Sequence, residues 1–276
     1  MRLIRFGENG KERPGILKDD NIIDLKEIYP DIPDICESFF REGWFEKVKN
    51  VKNIGKKMNV HIACPINKPS KIICLGKNYL EHAKEGGFDV SKSPLIFCKA
   101  GSALSGPFDP IIMPHTSSQI DWEVELAFII SKEGKRIKKE EVFNYIAGFC
   151  IMNDVSARDV QFADSQWFRG KSFDTFAPLG PSIVTLDEIG DINNLRLICI
   201  VDGEIMQDGN TKDMIFNIES IVENISQDMT LLPGDVISTG TPSGVGIFRN
   251  PPIVLKSGNI VECRIEKIGS IINEVK

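Results

Sequence analysis

The stretch that decides the fold is Asp121–Ile130, which reads DWEVELAFII. Side chains alternate between the two faces of a β-strand, and alternate positions lie about 7 Å apart. In a strand, Asp121, Glu123 and Glu125 share one face, and the apolar run Leu126–Ile130 then takes the strand into the core. An acidic face that leads into a core costs free energy unless positive charge lies between the carboxylates. The stretch therefore predicts a cation site, and the alternative is a half-exposed strand with a solvated acidic face.

A second apolar run, Tyr145–Met152, leads to Asp154. A carboxylate at that strand end can face the same pocket as Glu123 and Glu125, and the three supply only oxygen ligands. Such a set selects a hard cation, so we expect Mg²⁺ first, with Mn²⁺ or Ca²⁺ as alternatives. Three carboxylates and a divalent cation sum to −1, so an anionic substrate needs further positive charge. The candidates nearest in sequence are Arg158 and Lys171.

A histidine and a glutamate stand three residues apart in the short predicted helix Tyr79–Glu85. Residues i and i+3 are neighbours on a helix, so His82 and Glu85 are expected to be in contact. A carboxylate beside an imidazole orients the ring and raises its basicity, which suits a general base. The alternative is a surface salt bridge. We expect His61 and His115 to be structural or exposed.

The composition excludes several classes of protein. The chain has 276 residues, 42% of them apolar, which is enough for a core without disulfides or structural metals. The 39 acidic residues exceed the 33 basic ones, which argues against nucleic acid and anionic membranes as partners. Three histidines are too few for a multi-histidine zinc or copper site.

The cysteines and the apolar runs predict the compartment. Seven cysteines, an odd number without a C-x-x-C pair, lie mostly in apolar runs, which is typical of reduced thiols inside cells. No apolar run is long enough for a bilayer, and no targeting segment is evident. We therefore expect a cytoplasmic protein, with an organelle matrix as the alternative, and no membrane partner.

A polar connector between Pro65 and Pro69 suggests a domain boundary. We predict a small N-terminal α+β domain over residues 1–68, with one helix at Asp34–Lys49, and a catalytic domain over residues 69–276. Numerous short strands with single helices between them favour a β-rich α+β fold. Strands are expected at Ile72–Leu75, Leu95–Cys98, Ile111–Met113, Val124–Ile130, Ile146–Met152, Leu195–Val201, Val236–Ser238, Ile260–Ile265 and Ser270–Asn273. Further helices are expected at Val155–Phe162 and Phe216–Met229.

Five motifs in this order strongly resemble the fumarylacetoacetate hydrolase superfamily. They are Gly76–His82 (GKNYLEH), Asp121–Leu126 (DWEVEL), Asn153–Asp159 (NDVSARD), Gly170–Thr175 (GKSFDT) and Thr239–Gly246 (TGTPSGVG). Each motif is weak alone, but the ordered set is specific. The match runs from about Lys71 to the C terminus, and the leading segment resembles the small N-terminal domain of some members.

The resemblance implies a mixed β-sandwich roll and a homodimer. It implies a Mg²⁺ or Mn²⁺ ion on Glu123, Glu125 and Asp154. It gives Lys171 and Arg158 contacts with the substrate's carboxylate or oxo group, and it places Gln161, Thr175 and Thr241 around the pocket. By the same resemblance, His82 and Glu85 match a dyad that deprotonates water or a substrate carbon, and they form the expected catalytic set with Lys171.

The resemblance also implies the chemistry. A small 2-oxo acid chelates the metal, which stabilises the enolate formed when a bond to C3 breaks. Our leading prediction is an acylpyruvate-type C–C hydrolase acting on a 2-oxo (di)carboxylic acid. The alternatives are an oxaloacetate keto–enol tautomerase or decarboxylase and, from another class, a non-catalytic protein that binds metal and oxo acid. We expect the loops Gly86–Lys92 and Asp164–Arg169 to shape the pocket and to close over the substrate.

Overall fold

The computed structural model describes residues 1–87, 89, 91–163 and 165–276. Its strands are β1 (Arg2–Phe6), β2 (Arg13–Lys18), β3 (Asn21–Asp24), β4 (Lys56–Lys57), β5 (Ile62–Ala63), β6 (Ile72–Gly76), β7 (Leu95–Lys99), β8 (Leu104–Ser105), β9 (Ile120–Asp121), β10 (Val124–Ile130), β11 (Ile146–Asn153), β12 (Ser156–Ala157), β13 (Ala177–Val184), β14 (Arg196–Val201), β15 (Glu204–Asn210), β16 (Val236–Ser238), β17 (Ile260–Ile265) and β18 (Gly269–Glu274). Its helices are α1 (Leu25–Ile28), α2 (Glu37–Arg41), α3 (Trp44–Val48), α4 (Leu80–Glu85), α5 (Arg158–Ala163), α6 (Phe168–Lys171), α7 (Leu186–Ile189) and α8 (Ile218–Asp228). Single 3₁₀ segments occupy Gly101–Ala103, Lys139–Tyr145 and Thr211–Asp213.

A large mixed sheet forms the framework of the molecule. Its main path runs β4-β3-β2-β1-β13-β11-β10-β16-β6-β7, and a four-stranded sheet in the order β15-β14-β17-β18 lies beside it. Buried side chains of both sheets, such as Phe128 of β10 and Leu197 of β14, belong to one apolar cluster. This arrangement confirms the predicted β-rich α+β class, and it places β10 among the central strands.

The N-terminal strands extend the large sheet. Residues of β1 pair with β13, so Arg2 lies opposite Val184 and Leu3 opposite Ile183. A second apolar cluster contains Leu3 together with buried residues of β10 and β11. The sheet is therefore continuous across the predicted boundary at residues 68 and 69, and the division into two domains stays a prediction.

One predicted helix is two helices in the structure. The expected single helix Asp34–Lys49 is replaced by α2 and α3, and Gly43 stands between them with a φ of 77°. This left-handed conformation suits glycine, which has no Cβ, and it ends α2. The prediction was wrong because Ile35, Phe39 and Phe40, whose spacing indicated the helix, all precede Gly43 and carry no information about the break.

The predicted strands around the site were mostly correct, and the errors have physical reasons. Val124–Ile130, Val236–Ser238 and Ile260–Ile265 form strands with the expected bounds. Ile111–Met113 does not form a strand, since it contributes a single bridge between Ile111 and Val275. Strand β13, which reads APLGPSIV, was not predicted, because its glycine and prolines are typical of a loop. Pairing with β1 and β11 makes this segment a strand.

Candidate active site

Two antiparallel strands bring three carboxylates together. In the β10–β11 pair, Val124 lies opposite Asn153, so Glu123 and Glu125 flank the end of β11, where Asp154 follows. The main-chain N–H of Asp154 donates to the carbonyl of Glu123 at 2.9 Å. One carboxylate oxygen from each of the three acids lies within 4.8 Å of the others, and all three side chains are buried. The donor set is entirely oxygen, so this cluster fits a hard divalent cation.

Three basic side chains surround this carboxylate cluster. The Nζ of Lys171 lies 2.7 Å from Oε2 of Glu123 and 2.8 Å from Oδ2 of Asp154. Nη1 of Arg158 lies 2.8 Å from Oε1 of Glu123. The Nζ of Lys99 donates to Oδ1 of Asp154 at 2.5 Å, and also to the carbonyl of Val155 at 3.1 Å. Buried carboxylates are thus paired with buried cations, as their desolvation requires.

Lys99, which comes from β7, is a site residue that no sequence motif indicated. It is buried although it belongs to an edge strand, because its side chain crosses to the end of β11. The signal that was available is a lysine directly after the apolar run Leu95–Cys98. A single lysine at a strand end is common, so only the tertiary contact identifies it.

The two glutamates of the cluster have opposite pKa shifts. Burial opposes ionisation of Glu123, but the charges of Lys171 and Arg158 outweigh it and lower the pKa to about 2. Burial raises the pKa of Glu125 well above its usual value, and repulsion from Asp154 and Glu123 raises it further. The Glu125 carboxylate therefore has the greatest need of added positive charge.

Hydrogen-bond donors from the next strand hold Glu125 in place. Its Oε2 accepts from the hydroxyl of Ser238, at the end of β16, and from the main-chain N–H of Gly240 at 3.1 Å. These two donors keep the carboxylate directed at the cluster, which is the role that supporting hydrogen bonds play around metal ligands.

The structure corrects the expectation that Asp121 shares the metal face. The strand is interrupted at Trp122 and Glu123, so Asp121 belongs to the short strand β9, which pairs with β12. Its carboxylate accepts from the N–H groups of Gly246 and Ile247 at 2.7 and 3.1 Å. Alternation holds only within an unbroken strand, and here the chain leaves one sheet for another.

His82 and Glu85 make the contact that their spacing predicts. Nδ1 of His82 lies 3.3 Å from Oε2 of Glu85, on helix α4. His82 is only 7% exposed, which argues against a surface salt bridge. The N–H of Gly244 donates to both oxygens of Glu85, at 3.0 and 3.2 Å. The carboxylate is thus fixed from the far side, and Nε2 is the nitrogen left to face the cavity.

A cavity lies over the carboxylate cluster. Its lining includes seven of the predicted site residues, namely His82, Glu123, Glu125, Arg158, Gln161, Lys171 and Thr241. The remaining lining residues are Leu75, Gly76, Lys77, Phe97, Phe162, Trp167 and Phe248. Two further predicted residues, Asp154 and Glu85, contact lining residues from behind.

Thr175 has a different neighbourhood from the one predicted. Its hydroxyl accepts from the N–H of Ile112 at 2.8 Å, and its carbonyl accepts from the hydroxyl of Ser105 at 3.4 Å. Among the described residues it is not part of the cavity lining. Its φ of 66° turns the chain between α6 and β13, which gives this motif position a role in the backbone.

The glycines of the Thr239–Gly246 loop allow it to pack tightly at the cavity rim. Gly240 has a φ of 92°, and a Cβ there would lie 2.9 Å from Cβ of Asn78. Gly244 has a φ of 103°, and a Cβ there would lie 2.2 Å from the carbonyl oxygen of Met206. Both positions therefore require glycine.

The threonine hydroxyls of this loop bond to β10. Thr239 donates to the carbonyl of Leu126 and Thr241 to that of Val124, each at 2.9 Å. Since a hydroxyl has one hydrogen to donate, these hydroxyls hold the loop against the strand and cannot also donate to a substrate.

The loops predicted to close over the substrate are described only in part. Phe88, Val90 and Asp164 lie outside the described residues. The described Trp167 lines the cavity, and its ring packs edge-on against Phe97 with centroids 5.3 Å apart. Closure of these loops remains a prediction.

Two findings bear on the environment of the protein. All seven cysteines are free thiols, and Cys98 is exposed. In the part of the chain that the structure describes, no helix has both the length and the apolar character needed to cross a bilayer.

Comparison with known proteins agrees with the fold and the motifs. The family model described as fumarylacetoacetate (FAA) hydrolase C-terminal matches residues 71–276. The chain is 43% identical over 288 aligned positions to a rat (Rattus norvegicus) protein named oxaloacetate tautomerase Fahd2a, mitochondrial, covering 100% of this chain and 91% of that protein. It is 44% identical to the fumarylacetoacetate hydrolase domain-containing protein 2 homolog of Dictyostelium discoideum, covering 98% of this chain and 94% of that protein.

Solved structures of related proteins have the same fold. The fumarylacetoacetate hydrolase of Exiguobacterium antarcticum matches with a TM-score of 0.83 and 36% identity, covering 100% of this chain and 99% of that one. The maleylpyruvate hydrolase of Sphingobium sp. SYK-6, solved with manganese(II) and pyruvate, matches with a TM-score of 0.78 and 30% identity, covering 100% and 98%. The predicted roll and the predicted resemblance are thereby confirmed. This chain belongs to the fumarylacetoacetate hydrolase family.

Proposed function

We propose that the protein is a metal-dependent enzyme that interconverts the keto and enol forms of oxaloacetate or a similar 2-oxo dicarboxylic acid. The observation that carries this proposal is the cavity floor, where three buried carboxylates suited to a cation lie close to the His82–Glu85 dyad. Full-length relatives named oxaloacetate tautomerases favour this reaction over the hydrolysis that led our sequence-based predictions.

The cation would be held by Glu123, Glu125 and Asp154. We propose Mg²⁺, with Mn²⁺ or Ca²⁺ as alternatives, since all three accept oxygen ligands. A relative that binds manganese and pyruvate supports a divalent ion together with a 2-oxo acid in this fold. A cation bound there would polarise the 2-oxo group and stabilise the negative charge that develops when C3 loses a proton.

The charge of the site suits an anionic substrate. The three carboxylates of the cluster are balanced by the three cations Lys99, Lys171 and Arg158, and Asp121 adds one negative charge behind Arg158. A divalent ion therefore makes the local sum positive by one unit. A 2-oxo dicarboxylate brings two negative charges, so binding is electrostatically favourable.

We propose that His82 moves the proton between C3 and the 2-oxo oxygen. Its Nδ1 contacts Glu85, so Nε2 could accept the C3 proton of the keto form and deliver it to the 2-oxo oxygen to give the enol, and the reverse transfer would regenerate the keto form. Arg158, Gln161 and Lys171 line the same cavity and would orient the substrate's carboxylate and oxo groups. The residues proposed to bind the substrate and the residue proposed to move the proton thus line one cavity.

The second candidate function is hydrolysis of a C–C bond in an acylpyruvate. The similarity to a maleylpyruvate hydrolase favours it, because that reaction uses the same 2-oxo acid head group. Here the dyad would remove a proton from water, which attacks C4. Decarboxylation of oxaloacetate and binding without turnover are the remaining alternatives.

The decisive experiment follows the ultraviolet absorbance of enol-oxaloacetate with protein, with and without Mg²⁺ or Mn²⁺. We expect metal-dependent acceleration of enol loss, with no matching release of CO₂. Cleavage of an acylpyruvate but not tautomerisation would favour the hydrolase. Metal-dependent binding of pyruvate without turnover of either substrate would favour the binding protein.

We also propose a homodimer and a reducing compartment. The edge strand β7 exposes Leu95 and Ile96, and neighbouring α6 exposes Phe168, which gives an apolar surface for a second copy. The free thiols are typical of the cytoplasm or an organelle matrix, and the names of several relatives include mitochondrial. Light scattering and cell fractionation test these two proposals.

A further inference from the structure

We infer that Gln207 is a positioning residue for this site, although among the described residues it is not part of the cavity lining. Gln207 lies on β15, in the small sheet, and is 1% exposed. It is thus a buried amide of the small sheet whose hydrogen bonds go to the large sheet and to the Thr239–Gly246 loop. The inference rests on the proposed function, since it concerns how a 2-oxo acid is held.

The side chain of Gln207 connects β15 with two other segments of the site. Its Oε1 accepts from the N–H of Val124 at 3.0 Å. Its Nε2 donates to Oγ1 of Thr241 and to the carbonyl of Pro242, both at 2.8 Å. Val124 stands between the ligands Glu123 and Glu125, and Thr241 lines the cavity. One amide therefore fixes the spacing between the metal-binding strand and the rim loop.

Gln207 is needed because the pairing of β10 with β16 ends before it reaches Glu123 and Glu125. The pairing of β10 with β16 covers Ala127–Ile129 only. Beyond it, the chain of β16 continues as the rim loop, and within the described part of the chain no strand lies on that side to receive the N–H of Val124. Gln207 supplies the acceptor that a neighbouring strand would have supplied. An unsatisfied N–H at this buried position would allow the ligand strand to shift.

The same contacts determine what Thr241 can offer a substrate. Its hydroxyl donates its one hydrogen to the carbonyl of Val124 and accepts from Gln207. The hydroxyl cannot also donate to a substrate carboxylate. Thr241 could therefore offer an anion only its main-chain N–H, and Gln207 holds the loop that carries this N–H. Loss of the amide should weaken substrate binding more than metal binding, because the ligand carboxylates keep their own partners.

The experiment compares Gln207→Met, which keeps the volume but removes both amide groups, with Gln207→Glu, which keeps the acceptor and removes the two donors. The control is Thr211→Val, which removes a buried hydroxyl that bonds to Leu195 and Ile192, away from the loop. The readouts are Mn²⁺ affinity, the affinity of the Mn²⁺-loaded protein for pyruvate, KM and kcat for enol-oxaloacetate, and thermal unfolding.

We expect both Gln207 variants to bind pyruvate roughly tenfold more weakly, with a similar rise in KM, and to bind Mn²⁺ within about twofold of the wild type. Thr211→Val should lower the unfolding temperature about as much as the Gln207 variants do, and it should leave pyruvate binding unchanged. If pyruvate affinity falls equally in Thr211→Val, Gln207 has only a structural role and the inference is overturned. Unchanged affinity in Gln207→Met would also overturn it, with the proposed function intact. If the wild-type protein binds no pyruvate in the presence of Mn²⁺, both the proposed function and the inference are wrong.

Discussion

Asp121 and Arg158 form a buried ion pair in which Oδ2 of Asp121 lies 2.8 Å from both Nε and Nη2 of Arg158. The pair arises because β9 and β12 are hydrogen-bonded, with Asp121 opposite Ser156, and α5 begins at Arg158 directly after β12. Arg158 also contacts Glu123 through Nη1 at 2.8 Å. Asp121, which precedes the carboxylate cluster in sequence, therefore holds Arg158, the arginine proposed to bind substrate.

We predict that Asp121→Asn weakens substrate binding and leaves metal binding nearly unchanged. Loss of the charge frees Arg158 from one side, and removing one partner of a buried pair lowers the free energy of unfolding by about 3 kcal/mol. KM for enol-oxaloacetate should rise roughly tenfold, which corresponds to about 1.4 kcal/mol of binding free energy. Steady-state kinetics, calorimetry with Mn²⁺ and chemical denaturation check this.

The matched control for Asp121→Asn is Asp208→Asn. Asp208 pairs with Arg196 at 2.6 and 2.8 Å, but both side chains are exposed. Exposed pairs contribute at most about 1 kcal/mol, so stability and KM should change little. If Asp121→Asn behaves like this control, Asp121 does not position Arg158.

Glu123→Gln should reduce Mn²⁺ affinity by roughly a hundredfold, because one anionic ligand is lost and Lys171 and Arg158 lose a shared partner. Isothermal calorimetry measures the affinity directly, with no need for turnover. The control Glu133→Gln alters an exposed glutamate paired with Arg41, and it should bind the ion normally. Equal Mn²⁺ affinity in Glu123→Gln and the wild type contradicts the proposed ligand set.

His82→Ala should keep both Mn²⁺ and pyruvate binding and lower kcat by about 10²- to 10⁴-fold, the range that a general base contributes. The reason is that His82 exchanges the proton, whereas the carboxylate cluster and Arg158 hold the ligand. Stopped-flow measurement of enol loss gives kcat. The control is His115→Ala, at an exposed histidine outside the cavity lining. A His82→Ala enzyme with normal kcat removes His82 from the mechanism.

Gly76→Ala should displace Trp167 from the cavity wall. A Cβ at residue 76 would lie 2.5 Å from Cζ3 of Trp167, so the indole ring must move. We expect a change in tryptophan fluorescence and a KM raised about threefold to tenfold, with Mn²⁺ affinity unaffected. At Gly101 a Cβ would have no atom within 4 Å, so Gly101→Ala is the control. If the two variants have identical fluorescence and KM, Trp167 does not affect substrate binding.

Local sequence patterns were sufficient to predict several residues of the site. The alternation of acidic and apolar residues predicted that Glu123 and Glu125 face one cation, and the i, i+3 spacing predicted the contact of His82 with Glu85. The second inference depends on spacing within one helix, and the first depends on alternation that continues from β10 back to Glu123, directly before the strand. The apolar run that leads to Asp154, and the nearness in sequence of Arg158 and Lys171, added these three residues to the same site, and the ordered motifs supported them through resemblance.

The sequence by itself determined which side chains of β10 and α4 face the cavity, because alternation and helical spacing are local properties of the chain. Only the tertiary structure decided which residues meet those side chains. Lys99 reaches Asp154 across 55 positions, and Gln207 reaches Val124 across 83. Asp121 does not lie on the predicted metal face, because its strand pairs in another sheet. Thr175 lies in a turn and, among the described residues, is not part of the cavity lining. Buried polar groups must find partners wherever the packed sheets bring them, and that requirement is satisfied by long-range contacts that no local pattern specifies.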